Sequence, residues 1–117
     1  MKVKELVERL GLKVLGGADG LDREVGGCYV SDLLSDVVAG AQMGDVWITL
    51  HTHKTIVAVA SLKGLSCIIV DGGHAPDADA IEQSGKEGIP LHEPEPFVFH
   101  LLRDVAAPQR SHLLSGK

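Results

Sequence analysis

The sequence predicts a single-domain, three-layer α/β/α fold with a mainly parallel sheet, and three observations carry that expectation. From residue 46 onward, short apolar runs alternate with segments of helical period, the pattern of crossover units in a parallel sheet. Gly44, Gly64 and Gly88 each stand just ahead of such a run, where helix C-cap glycines belong. Cys67-Ile68-Ile69-Val70 has no polar alternation, as a central strand covered on both faces requires.

Taken in order, Val3, Leu6, Val7 and Leu10 recur at helical spacing and predict a helix over 3–10, closed by Gly11. A short strand over 12–15 is stopped by the glycine-rich stretch 16–20. A second strand over 24–30 contains Gly26-Gly27, which marks a bulge or the close approach of another backbone. Ser31-Asp32 is expected to cap a helix carrying Leu33, Leu34, Val37, Val38 and Ala41, after which Gly44-Asp45 turns into a strand over 46–50. The remaining expectations are helix 54–63, strand 65–70, helix 77–86, strand 89–92 and helix 97–105. Residues 1–105 then form one domain, and 106–117 a C-terminal tail.

Composition narrows the function classes. A chain of 117 residues can bury about two-thirds of its unfolded surface, enough for a core without disulfides or a structural metal. That core is aliphatic, because the chain has two Phe, one Trp and one Tyr. So few stacking platforms weigh against single-stranded nucleic acid and carbohydrate as ligands. A formal charge of −5 leaves no basic footprint for a phosphate backbone. No apolar run approaches the roughly 20 residues that cross a bilayer, and the first residues lead into an amphipathic helix, so no membrane partner is expected and the location expected is cytoplasmic. Cys28 and Cys67 lack metal or redox spacing and read as reduced, buried small hydrophobes.

In an open α/β sheet, ligands bind outside the carboxyl ends of the strands. Four loops gather there: Ser31 and Asp32 after the second strand; His51, Thr52, His53 and Lys54 after the third; Asp71, Gly72, Gly73 and His74 after the fourth; His92, Glu93 and Glu95 after the fifth. The first ten of these define the candidate ligand crevice. Three readings of it stay open. His51, Thr52, His53 and Lys54 are solvated loop residues with Thr52 as N-cap; or they hold a small anionic or nucleotide-like ligand at a helix N-terminus. In the third, His51, His53 and His74 are weak candidates for a metal, as in a metal-dependent or acid/base enzyme with Asp71. The acidic residues Asp71, Asp77 and Asp79 oppose a phosphate at the glycine turn 72–73. No GxGxxG, GxxxxGK[ST] or GxSxG motif occurs, so no catalytic residue is assigned, no cofactor is expected, and the chain reads as non-enzymatic.

Gly20-Leu21-Asp22-Arg23-Glu24-Val25, Gly27-Cys28-Tyr29-Val30-Ser31-Asp32, Gly44-Asp45-Val46-Trp47-Ile48-Thr49, Ile68-Ile69-Val70-Asp71-Gly72-Gly73 and Gly85-Lys86-Glu87-Gly88-Ile89-Pro90-Leu91, taken as an ordered set over about residues 3 to 105, resemble the DRTGG domain family. The wording is most similar to stand-alone members associated with iron-only hydrogenase and histidine-kinase genes, and to the amino-terminal domain of HPr kinase/phosphorylase. The resemblance implies a regulatory and dimerising module, hence a homodimer, with a protein partner as a scaffold-type alternative. The chain departs from the family where many members have Gly-Asp-Arg, here His51-Thr52-His53, and where they have Thr-Gly-Gly, here Asp71-Gly72-Gly73. Ligand contacts made by that Arg or Thr do not carry over.

Overall fold

The computed structural model describes residues 1–71 and 75–93. Helix α1 (Val3–Leu10) ends at Gly11, whose φ of 64° places it in the left-handed region that glycine enters without a Cβ penalty. Strand β1 (Lys13–Gly16) and a 3-10 turn over Ala18–Gly20 follow. Then come β2 (Gly27–Val30), α2 (Leu34–Gly40), β3 (Asp45–Thr49), α3 (Thr55–Lys63), β4 (Cys67–Val70), α4 (Ala78–Glu87) and β5 (Leu91–Glu93). The helix expected over 97–105 and the tail over 106–117 lie outside the described residues.

The five strands form one sheet in the order β1-β5-β4-β3-β2. Four are parallel, and β1 runs antiparallel along β5, with Val14 opposite His92 and a register shift between Val14 and Gly16. Alternation divides the sheet into two apolar faces. Tyr29, Trp47, Ile68, Val70 and Leu91 pack against Val37, Ile56, Val57, Ala60 and Ala80 of α2, α3 and α4. On the opposite face Cys28, Val46, Ile48, Cys67 and Ile69 pack against Val3, Leu6, Val7 and Leu10 of α1. Three layers result, with the sheet in the middle.

The parallel strands are laid down in one direction, β2 to β5, and their three crossover helices share one face. Crossovers of a single hand that always step the same way must all return over the same side of the sheet. The order never reverses within this set, so the parallel strands contain no topological switch point of the kind that opens a crevice.

Several element ends differ from the sequence expectation. The strand expected over 24–30 begins at Gly27; Glu24 instead bridges Lys2, and the Val25 amide donates to the Met1 carbonyl, so this stretch is held by the chain's own start. The close approach expected at Gly26-Gly27 is the Gly26 amide bonding to the Gly44 carbonyl. Neither Ser31 nor Asp32 caps α2; Leu33 occupies the N-cap, with no side-chain cap. Likewise Lys54, not Thr52, stands at the N-cap of α3.

Candidate functional site

At the carboxyl edge of β2 and β3, Asp32 is the organising residue. Its Oδ1 accepts the Leu50 amide at 2.7 Å and the Thr49 hydroxyl at 3.3 Å, and the Thr49 Oγ1 accepts the His51 amide at 3.2 Å. The exit of β3 is thus tied to the exit of β2 by one carboxylate, which explains why Asp32 is unavailable as a helix cap. His51 turns back over the same loop, and its Nε2 meets the Asp32 carbonyl. A carbonyl only accepts, so Nε2 carries the proton in this contact. Ser31 is fixed from two sides: its hydroxyl accepts the Leu33 amide at 3.1 Å, and its carbonyl accepts the indole N–H of fully buried Trp47 at 2.9 Å.

A second group forms one loop further along. His53 Nδ1 and Asp77 Oδ2 are 2.9 Å apart, while the Asp77 amide donates to the Thr52 carbonyl. These contacts join the start of α3 to the start of α4. The His53 ring is largely exposed, so the pair is a solvated one. Asp71 is buried beneath the edge, and its amide donates to the Thr49 carbonyl at 2.9 Å.

The structure therefore brings Asp32, His51 and the β3 exit into one cluster, and Thr52, His53 and Asp77 into a neighbouring one. Lys54 lies apart from both, lining an open groove of about 510 Å³ between α3 and α4. Gly72, Gly73 and His74 lie outside the described residues. Asp77 was foreseeable only as an acid opening a helix; its role as the partner of His53 depends on two loops meeting. Leu33 and Leu50, both exposed and flanking Asp32, carry no sequence signal that sets them apart from core leucines.

His92 is not delivered to this edge. The strand begins at Leu91 rather than residue 89, so His92 lies inside β5, beside Ile69 and Val14 and fully buried. Neither ring nitrogen has a hydrogen-bond partner among the described residues. Burial pushes its pKa down to about 4, so the ring is neutral. Glu93 ends the strand, and Glu95 lies outside the described residues.

As to metals, His51 and His53 engage different partners, and no group of three His, Cys, Asp or Glu side chains is placed to hold an ion among the described residues. Cys28 and Cys67 are both buried. They flank Val46 on alternate strands, about two strand spacings apart, too far for a disulfide. No described helix is long and apolar enough to cross a membrane.

This architecture is that of a small α/β domain whose polar residues collect on one sheet edge. No protein-family model and no curated protein matches the chain. Among solved structures it is similar to the CBS and DRTGG domains of the regulatory region of Clostridium perfringens pyrophosphatase, complexed with the activator diadenosine tetraphosphate. The TM-score is 0.69 at 19% identity, with 90% of this chain and 46% of that chain covered. The chain thus spans less than half of that chain's length. The fold is DRTGG-like, in agreement with the resemblance carried by the sequence.

Proposed function

We propose that this domain is a non-catalytic regulatory module that senses a small ligand at the carboxyl edge of β2 and β3 and works as a homodimer. The observation that carries the ligand reading is the arrangement around Asp32. Its Oδ1 is committed to the protein, and Oδ2 has no partner among the described residues. Exposed Leu33 and Leu50 flank it, giving the mixture of apolar surface and few fixed polar atoms that small-molecule sites use. Beside it, α3 begins without an acidic residue in its first turn and without a side-chain cap; its Ile56, Val57 and Ala58 amides are bonded to the His53 and Lys54 carbonyls, so the helix end favours an anion through its dipole rather than through open amides. The regulatory region with the similar fold was solved with a nucleotide activator, which supports an anionic, nucleotide-like ligand here. The tie to iron-only hydrogenase or histidine-kinase signalling rests on the sequence resemblance.

The test is calorimetric titration and thermal denaturation with diadenosine tetraphosphate, ATP, ADP, AMP and inorganic phosphate. A ligand present at about 100 times its Kd adds roughly 2.7 kcal/mol of stability. We expect a nucleotide to raise the melting temperature, and Asp32→Asn and His53→Ala to reduce that shift without lowering the ligand-free melting temperature by a similar amount. No shift with any of these compounds overturns the nucleotide reading.

A further inference from the structure

We propose that two copies of this chain associate through the outer stripe of α3, packed antiparallel about a two-fold axis at Ala58. The inference rests on the homodimer reading above and names the surface. Three observations carry it.

First, α3 (Thr55–Lys63) is largely apolar, and its outward side is mixed: Ile56, Val57 and Ala60 are buried against the sheet, while Ala58 and Leu62 are exposed beside Thr55 and Ser61, Leu62 by 72%. The helix sits between α2 and α4, at the centre of the helical layer, so this outward side is the middle of a broad face.

Second, the outer stripe is self-complementary in spacing. Lys54, Ala58 and Leu62 stand four residues apart on one face, with Ala58 at the midpoint. At 1.5 Å per residue the stripe is about 12 Å long. Reversed upon itself about Ala58, it sets Lys54 over the Leu62 end of the partner, twice, as an isologous interface demands. Ala58 and Ser61 are small enough for the helices to approach closely.

Third, two charges stand at helix ends that disfavour them. Lys54 is a cation at the positive N-terminus of α3, and Glu87 is an anion at the negative C-terminus of α4. Neither has an ion-pair partner among the described residues. Glu87 is nonetheless held toward α3, accepting from Ser61 at 3.2 Å and from Gln83 at 3.2 Å. Because Ser61 neighbours Leu62, the antiparallel arrangement brings each Lys54 to the partner's Glu87, and each charge relieves the other's unfavourable position.

The experiment is the mass of the intact chain by light scattering and sedimentation equilibrium at micromolar concentration, at low and high salt. We expect twice 12.4 kDa for the unaltered chain. Ala58→Arg is expected to give a monomer with an unchanged circular-dichroism spectrum, since the site is exposed. Lys54→Glu and Glu87→Lys are each expected to weaken the dimer at least tenfold, and the double reversal to restore it. Ala58→Cys should form a disulfide-linked dimer on mild oxidation, because residue 58 meets itself. A dimer unaffected by Ala58→Arg, or a double reversal as weak as the singles, overturns the α3 surface while leaving the homodimer reading intact. A monomer throughout overturns both, and neither result bears on ligand binding at Asp32.

Discussion

Arg23 Nε donates to the carbonyl of Gly88 at 3.1 Å, although the two residues are 65 apart in sequence, and its Nη1 reaches the Leu65 carbonyl at 3.3 Å. One guanidinium thereby ties the glycine turn that ends α4 to the start of the stretch leading into β4, and pins both to the loop before β2. Hydrogen bonds from a charged donor contribute about 1.5–3 kcal/mol, and Arg alone has the fork to make both. Arg23→Met is expected to lower stability by about 2 kcal/mol in urea denaturation, with Arg23→Lys recovering less than half of the loss.

Gly20 lies against that same turn. A Cβ there would land on the Gly88 carbonyl and press on Pro90 and on Arg23, and backbone cannot give way as a flexible side chain can. Gly85, on α4, has open space around its Cβ position. Gly20→Ala is therefore expected to destabilise by about 2 kcal/mol or more, whereas Gly85→Ala stabilises by about 0.5–1 kcal/mol. Thermal denaturation of the two variants, side by side, reads the difference in sign.

His92 makes stability depend on pH. In the unfolded chain its pKa is 6.5, and in the folded chain it is held down to about 4. Between those values the unfolded state binds the proton and the native state does not, so stability falls as pH drops through 6.5 and stops falling near 4. The loss amounts to roughly 3 kcal/mol, at about 1.36 kcal/mol per unit. Above pH 6.5 His92 contributes no pH dependence. His92→Leu should flatten this part of the profile of urea midpoint against pH, and a profile unchanged by the substitution would count against the buried neutral ring.

Both cysteines should be silent to thiol reagents. Burial pushes the Cys67 thiol far above its usual range, with the neighbouring Cys28 adding to the effect, and the thiolate is the reactive form. Titration with a disulfide reagent at neutral pH is expected to modify neither residue in the native protein and both in urea. Fast labelling of the native chain would contradict the burial of this face.

Much of the architecture is written locally. Gly11, Gly64 and Gly88 announce the ends of α1, α3 and α4, and each takes up the left-handed conformation at that position. The unbroken apolar run of β4 announces a strand covered on both faces, and Cys67, Ile68, Ile69 and Val70 are all buried. What the local pattern does not contain is the partner of a side chain. Ser31-Asp32 has the composition of a helix cap, but the Leu50 amide, 18 residues away, competes for the Asp32 carboxylate and wins it. Thr52 stands ahead of a helix as a cap should, yet Lys54 takes the N-cap position. His92 reads as a loop histidine because a two-residue shift in where β5 begins is invisible in a short apolar run, and that shift moves the ring from the edge into the core.

Sequence by itself determined the order of elements, the aliphatic core and the parallel character of the sheet, because periodicity and glycine placement act over a few residues. Only the tertiary structure decided that β1 lies antiparallel along β5, and that α2, α3 and α4 share one face while α1 covers the other. It also decided that the polar residues form two clusters on the sheet edge and that His92 is sealed inside. Those outcomes depend on which strands pair across long loops, and pairing is set by the burial of whole faces rather than by any local run of residues.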